Sequence, residues 1–228
     1  MKIRRTALLV LPALLAVVAV FPAYTAVRAA GYADYWAGRA AEPERPDTFT
    51  LVAFGDSATV AVGALDPRNG YVGRAASMIT ELTGRPVRIV NRAAGGATTG
   101  DVLAHQMSAI DVVSADLVLI GTSNDLEQRV PLAHYRAHLR SLLTVLPAAR
   151  SVISDLPLLP GRDAHQEVLT QVADEYGVAR ADFAAVFTGE GRRLDAFSFL
   201  PPHLNDRGYG YWFDAFRPHI ERIVAARS

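Results

Sequence analysis

The chain of 228 residues has a balanced charge, because its 23 lysines and arginines equal its 23 aspartates and glutamates. This balance argues against a basic surface for nucleic acid and against an acidic tail, so we expect no nucleic-acid partner. The chain has no cysteine, which excludes disulfides, thiolate metal sites and a cysteine nucleophile.

The N-terminal segment has the composition of a membrane-targeting sequence. Lys2, Arg4 and Arg5 precede an apolar stretch from Ala7 to Val27. About 20 apolar residues span the hydrocarbon core of a bilayer, which favours an uncleaved signal anchor over residues 1–27. A cleaved signal peptide is the alternative. The basic flank predicts a domain outside the cytoplasm, anchored to the membrane or, after cleavage, secreted.

Residues 28–47 are predicted to be a stalk between this anchor and a folded domain over residues 48–228. The prolines at positions 43 and 46 oppose helix formation and end the stalk. Several aromatic residues are expected near the outer membrane interface, or on one face of an amphipathic stalk helix: Tyr24, Tyr32, Tyr35 and Trp36.

Strands and helices alternate along the rest of the chain. Short apolar runs predict strands at residues 49–54, 87–90, 116–120, 151–155 and 178–183. Apolar residues at helical spacing predict helices at residues 71–82, 101–107, 132–146, 163–176 and 206–226. This alternation indicates an α/β fold whose parallel sheet is covered by helices on both faces. Ligands of such folds bind beyond the carboxyl ends of the strands.

Polar residues suited to acyl transfer follow three of these strands and precede the last helix. Ser57 follows the first strand, Gly96 the second and Asn124 the third, while His203 precedes the helix. Each alone has an ordinary explanation as a helix cap, a tight turn or a surface residue. Together they supply a nucleophile, a base and two donors for an oxyanion, which is the set that acyl transfer needs.

The four segments resemble, in the same order, the sequence blocks of the SGNH/GDSL hydrolase family. Gly55-Asp56-Ser57 resembles its GDS block, and Ser123-Asn124-Asp125 resembles its Asn-Asp block. Residues 91–99 resemble the block that supplies a glycine, and residues 203–209 resemble the histidine block. The resemblance covers about residues 50–225. It implies a flavodoxin-like three-layer α/β/α sandwich with a five-stranded parallel sheet.

The same resemblance implies a role for each candidate residue. Ser57 is expected to attack an ester carbonyl, with His203 as the general base. The backbone N–H groups of Ser57 and Gly96 and the side-chain amide of Asn124 are expected to form the oxyanion hole. Asp56 is expected to brace its loop rather than to take part in the chemistry.

The chain departs from the family pattern at two positions. Thr122 stands where a glycine usually precedes the asparagine by two residues, and Gly121 comes one position earlier. Leu200 stands where an acid usually precedes the histidine by three residues. The acid normally orients the imidazole. A backbone carbonyl could replace it in a Ser–His dyad, Asp195 could fold back toward His203, or activity could be weak or lost.

These residues favour a serine esterase that acts on small or medium acyl esters through an acyl-enzyme intermediate. One alternative is a cell-envelope carbohydrate O-acetyl esterase or acyltransferase, and another is a catalytically impaired domain that only binds ligand. The expected partner is a small-molecule, lipid or carbohydrate ester. No cofactor or metal is expected, since the sequence has no phosphate-binding glycine motif and no metal-binding histidine pair at a strand end.

Overall fold

A computed structural model of the chain describes residue 27 and residues 30–107, 112–189, 194–198 and 203–227. The predicted anchor therefore lies outside the described residues, apart from its last position. Within the described ranges, no helix combines the length and the apolar character that crossing a bilayer requires. The membrane anchor stays a prediction from the sequence.

A five-stranded parallel sheet forms the centre of the domain, as predicted. Its strands are β1 (Phe49–Gly55), β2 (Val87–Asn91), β3 (Leu117–Gly121), β4 (Ser151–Ser154) and β5 (Ala179–Ala181). Their order in the sheet is β2-β1-β3-β4-β5, and every neighbouring pair is parallel. This is the strand order of flavodoxin-like folds, in which ligands bind where the order reverses, between β1 and β3.

Nine helical segments precede, connect or follow these strands in the described part of the chain. They are α1 (residues 30–40), α2 (Ser57–Val60), α3 (Tyr71–Thr83), α4 (Thr99–Asp101, continued by a π-helical turn at Val102–Gln106), α5 (Asn124–Glu127), α6 (Leu132–Thr144), α7 (Asp163–Tyr176), α8 (Phe183–Gly189) and α9 (Asp206–Ala225). Short 3-10 segments lie at Pro67–Asn69, Ala148–Arg150 and Leu194–Ala196.

Alternating residues of the strands pack into two cores, one on each face of the sheet. In β1, Leu51 and Ala53 contact the core formed with α1, α3, α8 and α9, whereas Val52 and Phe54 contact the core formed with α6 and α7. Both sets of side chains are almost completely buried. Burial on both faces explains why the central strands β1 and β3 are nearly continuous apolar runs.

Helix α1 corrects the expectation that residues 28–47 form only a stalk. Tyr32 and Trp36 are buried in the core, where the Tyr32 hydroxyl donates to the carbonyl oxygen of Ala64 (2.6 Å) and Trp36 Nε1 donates to that of Val60 (3.0 Å). These two rings therefore do not lie at a membrane surface. Aromatic residues four positions apart look the same in an interfacial helix and in a core helix, so the sequence pattern did not separate the two.

The segment after β5 differs from the prediction in a similar way. Phe183 was expected to end the fifth strand, but β5 is only three residues long and Phe183 begins α8. Phe183 and Phe187 are both buried on the inner side of this helix. The six residues of the predicted strand are too few for periodicity alone to distinguish a strand from a helical turn.

Candidate active site

Ser57 lies at the sheet edge that the strand order selects, at the start of α2 and directly after β1. Its hydroxyl does not cap the helix, because the capping side chain is that of Asp56, which accepts from Ala58 N (2.9 Å). Gly55 has a φ of +150°, and a Cβ atom there would lie 2.0 Å from the carbonyl oxygen of Gly121. Glycine is therefore required for the sharp turn that presents Ser57.

Asp56 is buried beneath this turn and joins it to the loop after β3. One carboxylate oxygen accepts from Ala58 N, and the other accepts from both the backbone N (2.8 Å) and the Oγ (2.7 Å) of Ser123. Burial raises the pKa of Asp56 above its ordinary value, although these hydrogen bonds favour the ionised form. Its side-chain hydrogen bonds join the start of α2 to the loop after β3, which agrees with the bracing role expected from the sequence.

His203 contacts the candidate nucleophile directly. Its Nε2 atom lies 3.0 Å from Ser57 Oγ, which is hydrogen-bond distance. The two residues are 146 positions apart in the chain, so this pairing depends on the fold. A base within this distance can take the proton of the hydroxyl as the oxygen attacks.

The loop that carries His203 is closed by a short antiparallel bridge between Phe197 and Leu204. Ser198 donates to the carbonyl oxygen of His203 from its backbone N (2.9 Å) and from its Oγ (3.1 Å). Asn205 caps α9, and its Nδ2 also donates to the carbonyl oxygens of Asp195 (2.6 Å) and Phe197 (3.1 Å). The base is therefore held through its own carbonyl oxygen and through the two residues that follow it.

Asp195 forms an ion pair with the guanidinium of Arg207, and both side chains are about half exposed. To orient the imidazole of His203, the Asp195 carboxylate would have to break its ion pair with Arg207 or bind both groups at once. Leu200, which stands at the usual position of the acid, lies outside the described residues. The orientation of the imidazole by Asp195 thus stays a prediction.

Gly96 and Asn124 line the same pocket as Ser57 and His203. Gly96 has a left-handed φ of +78°, which suits glycine. Asn124 begins α5 and is 8% exposed, and its side-chain amide makes no hydrogen bond to the described part of the chain. That amide is available to a ligand. The shift of the loop glycine from position 122 to Gly121 has therefore not removed Asn124 from the pocket.

The pocket itself has a volume of about 470 Å³. Besides the candidate residues, its lining includes apolar side chains, among which Phe183, Phe187 and Trp212 form an aromatic wall. Trp212 stacks on Phe183 with ring centroids 4.6 Å apart, and its Nε1 donates to Ser154 Oγ (2.7 Å). The sequence did not predict this aromatic wall, because α8 was not predicted.

Several solved structures resemble this fold. Axe2, an acetylxylan esterase from Geobacillus stearothermophilus, has 22% sequence identity and a TM-score of 0.61 over 75% of this chain and 94% of its own. The lipase/acylhydrolase from Enterococcus faecalis has 20% identity and a TM-score of 0.64 over 78% and 96% of the two chains. TesA has 21% identity and a TM-score of 0.64 over 76% and 99%. No curated protein sequence matches the chain.

A family model matches well over half of the chain. It is that of the GDSL-like lipase/acylhydrolase family, and the match extends over residues 53–211, from β1 into α9. This range includes all four segments that carry Ser57, Gly96, Asn124 and His203, and it confirms the resemblance predicted from them. The chain is therefore a serine hydrolase that belongs to the GDSL-like lipase/acylhydrolase family.

Proposed function

We propose that this enzyme hydrolyses carboxylic esters of small or medium acyl groups through an acyl-enzyme on Ser57, with His203 as its base. The observation that carries the proposal is the 3.0 Å distance between His203 Nε2 and Ser57 Oγ at the edge of the pocket. This contact also argues against an impaired binding domain, because nucleophile and base are already within proton-transfer distance.

The proposed reaction has two halves that use the same residues. Ser57 Oγ attacks the ester carbonyl carbon as His203 Nε2 takes its proton, and the carbonyl oxygen becomes an oxyanion. The N–H groups of Ser57 and Gly96 and the amide of Asn124 stabilise that oxyanion. His203 then protonates the leaving alcohol, and the acyl group stays on Ser57. Water, deprotonated by His203, releases the acid and restores the serine.

The aromatic side of the pocket supports an apolar acyl group longer than acetyl. An acetyl group has a single methyl, whereas Phe183, Phe187 and Trp212 form a wall that a longer chain would cover. Each additional buried methylene contributes about 0.8 kcal/mol, which is about fourfold in kcat/KM if the contact persists in the transition state. We therefore expect butyrate and hexanoate esters to react faster than acetate esters.

The test compares hydrolysis of p-nitrophenyl acetate, butyrate and hexanoate by the full chain and by Ser57→Ala. We expect Ser57→Ala to lower kcat/KM by about 10⁴-fold or more for every ester. Ser77→Ala is the matched control, because Ser77 lies on α3 and its Oγ donates only to a backbone carbonyl of the same helix. Equal rates for wild type and Ser57→Ala would contradict the proposal.

Acetylated carbohydrate is the second candidate substrate, since the name of Axe2 records deacetylation of xylan by a protein of the same fold. Acetate release from acetylated xylan or from purified envelope glycan would test it. A kcat/KM for acetylated glycan above that for the butyrate and hexanoate esters would favour this second candidate. The apolar wall leads us to expect the reverse.

We further propose that the domain acts outside the cytoplasm. The support is the sequence of residues 1–27, with basic residues before an apolar stretch of membrane-spanning length. Protease added to intact cells that express the full chain should cleave the domain if it lies outside. Protection from protease until the cells are lysed would contradict this location.

A further inference from the structure

We propose that Gln128 is a positioning residue that fixes Gly96 relative to Asn124. The Gly96 N–H and the Asn124 side-chain amide can then donate to the same oxyanion. The inference rests on the proposed function, because it concerns the oxyanion hole of that reaction. Gln128 lies outside the four sequence segments that resemble the family blocks. It is an exposed residue that immediately follows α5.

Gly96 needs a specific contact because packing does not hold it. It is exposed, and a Cβ atom built on it would meet no other atom within 4 Å. Its φ of +78° is one of several that a glycine can adopt at little cost. An oxyanion donor that can rotate away contributes little, since the effect depends on donors already aimed at the developing charge.

Gln128 supplies this contact at the tip of the glycine loop. Its Nε2 donates to the carbonyl oxygen of Gly96 over 2.6 Å. Its own backbone N donates to the carbonyl oxygen of Asn124 over 2.8 Å, as part of the end of α5. One residue is therefore bonded to both of the oxyanion donors that lie outside the nucleophile turn.

The two sides of the glycine loop are held separately. On one side, Ala94 N donates to the carbonyl oxygen of Gly55 (3.1 Å). On the other, Asp125 accepts from both the N (2.8 Å) and the Oγ (2.7 Å) of Thr99, and its side chain is buried. These contacts tie the ends of the loop to the sheet edge and to α5. Ala97 N also donates to the carbonyl oxygen of Ala94 (3.1 Å), which closes the turn around Gly96. The bond from Gln128 links the tip of this turn to the end of α5.

Because Gln128 is exposed, a substitution there should affect catalysis without lowering the stability of the fold. Removing its side chain creates no cavity in either core and leaves the buried contacts of Asp125 in place. Loss of the bond should free the carbonyl group of Gly96, so that the backbone of this residue can rotate and its N–H can turn away from the oxyanion. Transition-state stabilisation should then weaken while substrate binding persists. A misplacement of about 1 Å in an active site can lower the rate by about 10²-fold. We expect a fall of about 10- to 100-fold in kcat for Gln128→Ala, with KM changed by no more than about twofold.

The experiment measures kcat, KM and thermal unfolding of the full chain with wild-type sequence, Gln128→Ala, Gln128→Lys and Ser57→Ala. Gln128→Lys keeps an N–H donor on a long side chain, so we expect it to recover most of the kcat lost in Gln128→Ala. Gln171→Ala is the matched control, because Gln171 is also exposed but bonds only residues on α6 and α7. We expect it to leave kcat within about twofold of wild type.

A second substrate distinguishes weaker stabilisation of the oxyanion from a general loss of catalytic activity. A thionoester develops its charge on sulfur, which accepts hydrogen bonds weakly, so Gln128→Ala should slow it less than the matching ester. An unchanged kcat in Gln128→Ala, a loss confined to KM, or an equal loss with ester and thionoester would each overturn the inference. If any of these results is found while Ser57→Ala is inactive in the same assay, the role of Gln128 is contradicted but the proposed function is not. If wild type shows no hydrolysis that depends on Ser57, both the role of Gln128 and the proposed function are contradicted.

Discussion

The two members of the catalytic pair are held in contrasting ways. Ser57 follows a buried strand, and the carboxylate beneath it, Asp56, is 1% exposed and accepts three hydrogen bonds. His203 lies on a surface loop, and its neighbourhood is closed by a backbone bridge and by the half-exposed pair of Asp195 with Arg207. The nucleophile side is part of the core of the domain, whereas the base side is attached to its surface.

This contrast predicts that substitutions on the two sides affect stability and catalysis differently. A change beneath Ser57 should lower the free energy of unfolding strongly, because buried polar groups lose their partners. A change in the histidine loop should affect catalysis more than stability, because local surface segments open at little cost to the remainder of the fold.

Asp56→Asn should have the largest effect on stability. An amide NH₂ would face either Ala58 N–H or the two donor groups of Ser123, so at least one buried donor loses its acceptor. Hydrogen bonds to charged groups contribute about 1.5–3 kcal/mol each, so we expect a loss of about 3 kcal/mol in the free energy of unfolding. Chemical denaturation measures it. Asp66→Asn, which changes a capping carboxylate that is 33% exposed, is the control and should lose less. Equal losses of unfolding free energy in Asp56→Asn and Asp66→Asn would contradict the contrast between the two sides of the site.

Gly63→Ala should have an intermediate effect on stability and a large one on catalysis. Gly63 has a φ of +97°, and an added Cβ would lie 2.4 Å from the carbonyl oxygen of Leu204 and 3.0 Å from His203 Cβ. The strain should cost about 1–3 kcal/mol, and displacement of the imidazole should lower kcat by about 10²-fold.

Gly84→Ala is its matched control, since Gly84 also has a positive φ (+67°) but an added Cβ would meet nothing within 4 Å. It should show the backbone strain without the loss of kcat. A similar kcat for the two variants would mean that Gly63 does not position the histidine loop.

Asp195→Asn should have the smallest effect on stability. Exposed ion pairs contribute about 0–1 kcal/mol, so the unfolding free energy should change by less than about 1 kcal/mol. Arg207→Gln removes the same pair from the other side and serves as the reference. Equal kcat values for wild type and both variants would exclude Asp195 as the acid. A loss of kcat in Asp195→Asn alone would identify it as the group that orients His203.

The sequence predicted the nucleophile side better than the base side, for a physical reason. Strands buried on both faces leave a clear apolar pattern, and the residues after them must gather at one sheet edge, so Ser57, Gly96 and Asn124 were found together. The histidine loop leaves no such pattern. Its bridge and the contacts of Asn205 depend on backbone geometry that the residue types do not reveal.

Other features escaped prediction because they depend on tertiary contacts. Helix α1 has the same aromatic spacing whether it lies at a membrane or in a core, and the burial of Trp36 is visible only in the fold. The aromatic wall requires α8 to bring Phe183 against Trp212. Gln128 is an exposed polar residue of an ordinary kind, and only its 2.6 Å contact with Gly96 distinguishes it.

The central claim is that His203 activates Ser57. Its most direct test is the rate at which a fluorophosphonate labels the full chain, with the modified residue identified by mass spectrometry in wild type and in His203→Gln. We expect the label on Ser57 in wild type and a labelling rate lower by about 10³-fold or more in His203→Gln. Labelling of another residue, or equal rates in the two proteins, would contradict the account.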